Sequence, residues 1–103
     1  MSFDRRGPAG WTIHPGEILK EEFLVPNKLS GYALAKQIKV PPQTVNDIVL
    51  KKRGISADMA ILLAKFFGTS DEFWMNLQSA YELSTARAAN RNKLKTIHPL
   101  EAA

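Results

Sequence analysis

Apolar residues in this chain recur three or four positions apart, and the breaks between the stripes fall on residues that start or stop helices. Ile18, Leu19, Phe23 and Leu24 form one inward stripe while Lys20, Glu21 and Glu22 face water. A first helix is therefore predicted from about Pro15, with proline in its first turn and Glu17 near its positive end. Pro26 and Asn27 stop it. Ser30 is an N-cap for a second helix that buries Ala33, Leu34 and Ile38. Lys39 and Val40 make a tight corner, and Pro42 stands in the first turn of a third helix, where a missing N–H costs nothing. Val45 and Ile48 turn that helix back onto the second. Gly54 closes this pair. Ser56 caps a fourth helix from about Ala57 to Phe67, apolar at Met59, Ile61 or Leu62, Leu63, Phe66 and Phe67, with Gly68 as its stop. Thr69, with Glu72 three residues on, reads as a capping box for a last helix from about Ser70 at least to Leu83. The pattern is all-α, with five helices.

The central pair, Ser30 to Arg53, stands out by what faces away from the core. Gln43, Thr44, Asn46, Asp47 and Lys51 are polar at helical spacing, and Lys51, Lys52 and Arg53 follow as a cationic run. A short helix with apolar residues behind and hydrogen-bonding residues in front suits the major groove of DNA. Charge sharpens this reading. The formal net charge of the 103 residues is +4, yet residues 1 to 30 and residues 56 to 103 are each neutral. Between them lie Lys36, Lys39, Lys51, Lys52 and Arg53 against Asp47 alone, so the whole excess sits on the suspected DNA-reading segment. A charge run by itself is usually a solvated face. Coincidence with the helix pair makes it a phosphate-contacting surface. Gln43, Thr44 and Asn46 are the candidates for base edges, since glutamine and asparagine match adenine and threonine meets a thymine methyl. Lys36, Lys39, Lys51, Lys52 and Arg53 are the candidates for phosphates. Asp47 is the odd residue there, with Lys51 or a cytosine as its expected partner.

Phe73-Trp74-Met75 puts more apolar surface on the last helix than one stripe holds, because neighbours lie about 100° apart. Either the helix is buried on several sides, or it is shared with a second copy of the chain. The second arrangement is the expectation, with Trp74, Leu77 and Tyr81 at the dimer interface. Residues 1 to 13 form a leader rich in glycine, proline and charge, with Trp11 either tucked against the domain or ordering on a partner protein. Residues 14 to 83 are the DNA-binding domain, and residues 84 to 103 a helix extension and a basic tail.

Several chemistries lack their residues. No cysteine is present, which removes disulfides and thiolate metal sites. His14 and His98 are far apart, no histidine pair or Asp-x-Asp loop has metal-ligand spacing, and the glycines form no phosphate-cradling loop. Glu17, Glu21 and Glu22 read as a solvated helix face. No serine stands in a nucleophile elbow. No enzyme activity, cofactor or metal is expected. The basic N-terminus has no apolar signal core behind it and no apolar run reaches the roughly 18 residues of a membrane span, so a cytoplasmic protein is expected.

Four runs then point to a family: His14-Pro15-Gly16-Glu17-Ile18-Leu19, Thr44 to Val49, Gly54 to Ala60, and Phe73-Trp74-Met75-Asn76-Leu77-Gln78. Over roughly Ile13 to Leu83 the chain resembles the HigA/VapI-type antitoxins, which are XRE-type, lambda-repressor-like helix-turn-helix proteins. The His-Pro-Gly-Glu opening combined with the Phe-Trp-Met-Asn-Leu-Gln ending is the most restrictive part of the match. The resemblance implies a compact five-helix bundle and a homodimer that binds a palindromic operator in its own promoter. It also implies a small RNA-cleaving toxin as a protein partner. The alternative is a stand-alone regulator of the same fold without a toxin. Two departures stand at the reading helix: Lys39 occupies a corner often filled by glycine, and Pro41-Pro42 removes two donors from the helix entry.

Overall fold

The computed structural model describes residues 13–101. The helices in chain order are α1 (Pro15–Ile18), continuing in π-helical geometry over Leu19–Leu24, α2 (Gly31–Ile38), α3 (Pro42–Val49), α4 (Ala57–Phe67), α5 (Asp71–Ala89) and the short α6 (Arg91–Leu94). Five principal helices match the expected pattern; α6 is an addition after Asn90. No strand occurs among the described residues.

The serine caps form as the sequence predicts at α2 and α4. Ser30 Oγ accepts the Ala33 N–H at 3.0 Å, and Ser56 Oγ accepts that of Met59 at 3.2 Å. Each satisfies one of the four N–H groups that a helix start leaves without a partner. Gly68 ends α4 in the left-handed region at φ 74°. At α5 the expectation is corrected. The cap is Ser70, whose Oγ accepts the Phe73 N–H at 3.0 Å. Thr69 is not free for that role, because its Oγ1 accepts the Trp74 indole N–H at 2.7 Å.

That bond also explains a second correction. Trp74 does not lie on a dimer face, since it is 0% exposed within a single chain. Its ring packs against Phe23, Phe73 and Phe67, with centroids 4.9, 5.0 and 6.2 Å away, and Thr69 satisfies its one polar atom. The remaining core runs through Leu19, Leu34, Val45, Ile48 and Leu63, so α1, α2, α3 and α4 all contribute to it. Leu77 and Tyr81 stay half-buried at its edge. On α5 only Trp74 and Gln78 are fully buried, and the helix continues past Leu83 to Ala89 with its outer side in solvent.

The Thr69–Trp74 bond can be isolated. Thr69→Val keeps the shape and strands the buried indole N–H, which is expected to destabilise the fold by about 1–3 kcal/mol. Urea denaturation followed by tryptophan fluorescence reads it; an unchanged midpoint contradicts the role given to Thr69.

Candidate nucleic-acid interface

α2 and α3 pack as a pair across the corner Lys39–Pro41. Lys39 takes up the left-handed conformation at φ 62° and ψ 46°, and Val40 N–H bonds back to the Ala35 carbonyl at 3.1 Å. For a residue with a Cβ this geometry costs on the order of 1 kcal/mol. Pro41 begins α3 without a side-chain cap, and its carbonyl accepts the Thr44 N–H at 3.0 Å.

Val45 and Ile48 are 0% exposed, which fixes the inner face of α3. At about 100° per residue the opposite face carries Gln43, Asn46, Asp47 and Leu50. Gln43 and Asn46 are exposed there and line a shallow hollow of about 260 Å³ with Gly31, Tyr32 and Pro42. Thr44 is half-buried and flanks this face. Asp47 accepts from Gln43 Nε2 at 2.6 Å, and Arg53 Nη2 approaches its other oxygen at 3.9 Å. The sequence expectation of an Asp47–Lys51 pair is overturned. Lys51, at φ 65° just past the helix end, turns instead to Glu17 of α1 at 3.2 Å. Lys36, Lys39 and Lys52 are exposed and carry no ion pair among the described residues.

α3 is held from behind by the His-Pro-Gly-Glu run. His14 Nδ1 accepts the Gly16 N–H at 2.9 Å and so caps α1, with Pro15 following in the first turn. Gly16 lies directly on the reading helix: a Cβ there would stand 1.8 Å from the Ile48 carbonyl oxygen. Only hydrogen fits. The His14 ring also meets Tyr81 of α5 edge-on, with centroids 4.8 Å apart. Burial lowers the His14 pKa below its usual 6.5, and the Lys51 charge lowers it further. A second clamp holds the segment after α3, where Gln78 of α5 accepts the Ile55 N–H at 2.7 Å and donates to Glu82 at 2.8 Å. Gly54 leaves room for that amide, because a Cβ there would stand 2.6 Å from it.

The helix-turn-helix family model HTH_3 matches residues 19–74, more than half of the chain. The chain belongs to the XRE-type helix-turn-helix family. It is 47% identical over 88 residues to virulence-associated protein I of Dichelobacter nodosus, covering 85% of this chain and 81% of that one. Antitoxin HigA-1 of Vibrio cholerae is 36% identical over 88 residues, covering 85% and 83% respectively. Among solved structures, the Pseudomonas aeruginosa antitoxin HigA with the higBA promoter superposes at a TM-score of 0.84 with 58% identity, covering 86% of this chain and 98% of that one.

Within this helix-turn-helix frame, the structure brings Gln43 and Asn46 together on one outward face and places Thr44 beside it. Lys36 shares a side of α2 with Tyr32, four residues before it. Tyr32, 63% exposed beside Gln43 and Asn46, is a candidate contact that sequence reasoning missed. Its signal was present: an aromatic residue outside the Ala33, Leu34, Ile38 stripe. His14 and Gln78 were missed as positioning groups because their partners lie far away in sequence. No group of three or more potential metal ligands occurs among the described residues, and no helix there is long and apolar enough to cross a membrane. The expectations for the leader fall, except at Ile13, outside the described residues.

Two measurements test the clamp. Gly16→Ala must displace α3 or α1 and is expected to destabilise the chain by about 3 kcal/mol, measured by denaturant unfolding; wild-type stability contradicts the close approach. For His14, both folded and unfolded imidazoles are neutral well above pH 6.5. Below that the unfolded imidazole takes up a proton that the folded one resists, so stability falls with acidification. His14→Asn keeps an acceptor for the Gly16 N–H and removes this titration. Its urea midpoint is expected to decline less than that of the wild type between about pH 6.5 and 5. Equal slopes contradict a buried, titrating His14.

Proposed function

We propose that this chain is the antitoxin of a type II toxin–antitoxin pair, repressing its own operon as a dimer on a palindromic operator and silencing a small RNA-cleaving toxin. The observation that carries the DNA half is the outward face of α3, with Gln43 and Asn46 in front and the exposed cations Lys36, Lys39 and Lys52 around it. The antitoxin half rests on likeness to proteins named as antitoxins, including the HigA of Pseudomonas aeruginosa with its promoter. No enzymatic step and no cofactor belong to this reading, and its setting is the cytoplasm, where the operon is transcribed.

In this reading two copies of α3 enter successive major grooves about one turn apart, roughly 34 Å. Gln43, Asn46 and, from the flank, Thr44 meet base edges, and the cations fix register on phosphates without reading sequence. Lys51 and Arg53 reach phosphates only by leaving Glu17 and Asp47. With Trp74 spent inside the core, the dimer contact falls to Leu77 and Tyr81 together with the exposed Met75 and Leu83 of the same helix.

Mutation separates reading from holding. Asn46→Ala is expected to lose discrimination by about 1–3 kcal/mol at one base pair. Lys52→Ala is expected to weaken all sequences alike and to reduce the salt slope by about one unit. Fluorescence anisotropy across operator variants and salt concentrations measures both, and identical behaviour of the two variants contradicts the division. The toxin half is tested by co-expression with the product of the neighbouring gene. A small basic protein that co-purifies with this chain supports the antitoxin reading; its absence leaves a stand-alone regulator.

A further inference from the structure

The reading surface carries a charge of the wrong sign for its task. Asp47 is the sole acid between residues 31 and 55, and it faces outward from α3 beside Gln43. An i, i+4 glutamine–aspartate pair ordinarily supports a helix by a small amount. Here the chemistry of the pair does more. A carboxylate only accepts, so the part of Gln43 that meets it at 2.6 Å must be the NH2 group. Asp47 thereby decides which way the amide is turned. One N–H of Gln43 is consumed; the other N–H and Oε1 remain on the exposed side. They form a donor beside an acceptor in fixed order, the pattern that complements N7 and N6 of adenine. A glutamine without this neighbour can turn over and offer the opposite order.

The carboxylate is itself held. Its other oxygen faces Arg53 at 3.9 Å, and the Asp47 side chain is 18% exposed against 50% for Arg53. The same contact turns one of the cations away from the DNA backbone. Resting on the DNA-binding reading above, we infer that Asp47 is a positioning residue that trades affinity for specificity. It fixes the Gln43 amide for an adenine edge, while its charge repels the phosphates of every duplex alike.

The test uses the full chain and a duplex that the wild type selects from a randomised pool, the same duplex with each A·T pair exchanged for G·C, and a scrambled duplex. Gln43→Ala first marks the base pair at which discrimination depends on Gln43. Asp47→Asn removes the charge and leaves a neighbour amide that can turn over. It is expected to bind the scrambled duplex about three- to tenfold more tightly, and to lose discrimination at the marked pair by about fivefold or more. Asp47→Glu, which keeps an acceptor-only group, is expected to retain most of the discrimination, and circular dichroism melting verifies that both variants fold. Undiminished discrimination in Asp47→Asn overturns the positioning role even if affinity rises. Equal weakening on selected and scrambled duplexes overturns it in favour of plain helix support. A wild type that does not distinguish the two duplexes overturns the DNA-binding reading as well.

Discussion

Gly16 meets the carbonyl of Ile48 with no space for a methyl group between them, and the position of the reading helix depends on that contact. α3 is only eight residues long, too short to be stable or well aimed by itself. Its direction comes from what it rests on. Val45 and Ile48 anchor its inner face in the core, and Gly16 lets the start of α1 press against its last turn. His14 holds Gly16 in place through its N–H, and Tyr81 closes over His14 from α5. A bulkier residue at position 16 moves the helix, and with it the spacing of Gln43 and Asn46 from any groove they enter.

Charge follows the same geometry. The excess positive charge lies on residues 31 to 55, but it is not uniformly available. Glu17 engages Lys51 and Asp47 faces Arg53, so two of five cations already have partners within the chain. Surface pairs of this kind contribute little to stability. Their larger effect is on what remains outside: Lys36 beside α2's exposed Tyr32, Lys39 at the corner and Lys52 past α3. A phosphate that recruits Lys51 competes with a carboxylate at 3.2 Å, which links DNA contact to the position of α1.

Much of this was legible in the sequence because it is local. The caps at Ser30 and Ser56, the stop at Gly68, the corner at Lys39 and the apolar stripes depend on residues a few positions apart. The concentration of charge on the helix pair needed only counting. What stayed hidden depends on distant partners. Periodicity marked Trp74 as surplus apolar surface, yet could not reveal that Phe23 and Phe67 enclose it or that Thr69 takes its N–H. The capping-box pattern pointed to Thr69 for the same reason, since its competing use was not visible. Asp47 was assigned to Lys51 on helical spacing, while the chain leaves the helix at φ 65° and carries that lysine to Glu17. His14, Gly16 and Gln78 were recognisable as family signatures before any physical reason for them was apparent.

The claim at the centre is that the outward face of α3 meets DNA while α1 and α5 hold it from behind. Titrating the uniformly 15N-labelled chain with the duplex it selects, and following backbone and side-chain amide resonances, tests this most directly. The account predicts the largest shifts at Tyr32, at the side-chain amides of Gln43 and Asn46, and at Lys51 to Arg53, with Trp74 and Leu63 unmoved. Shifts concentrated on α4 or the outer side of α5, with Gln43 and Asn46 unchanged, would contradict it.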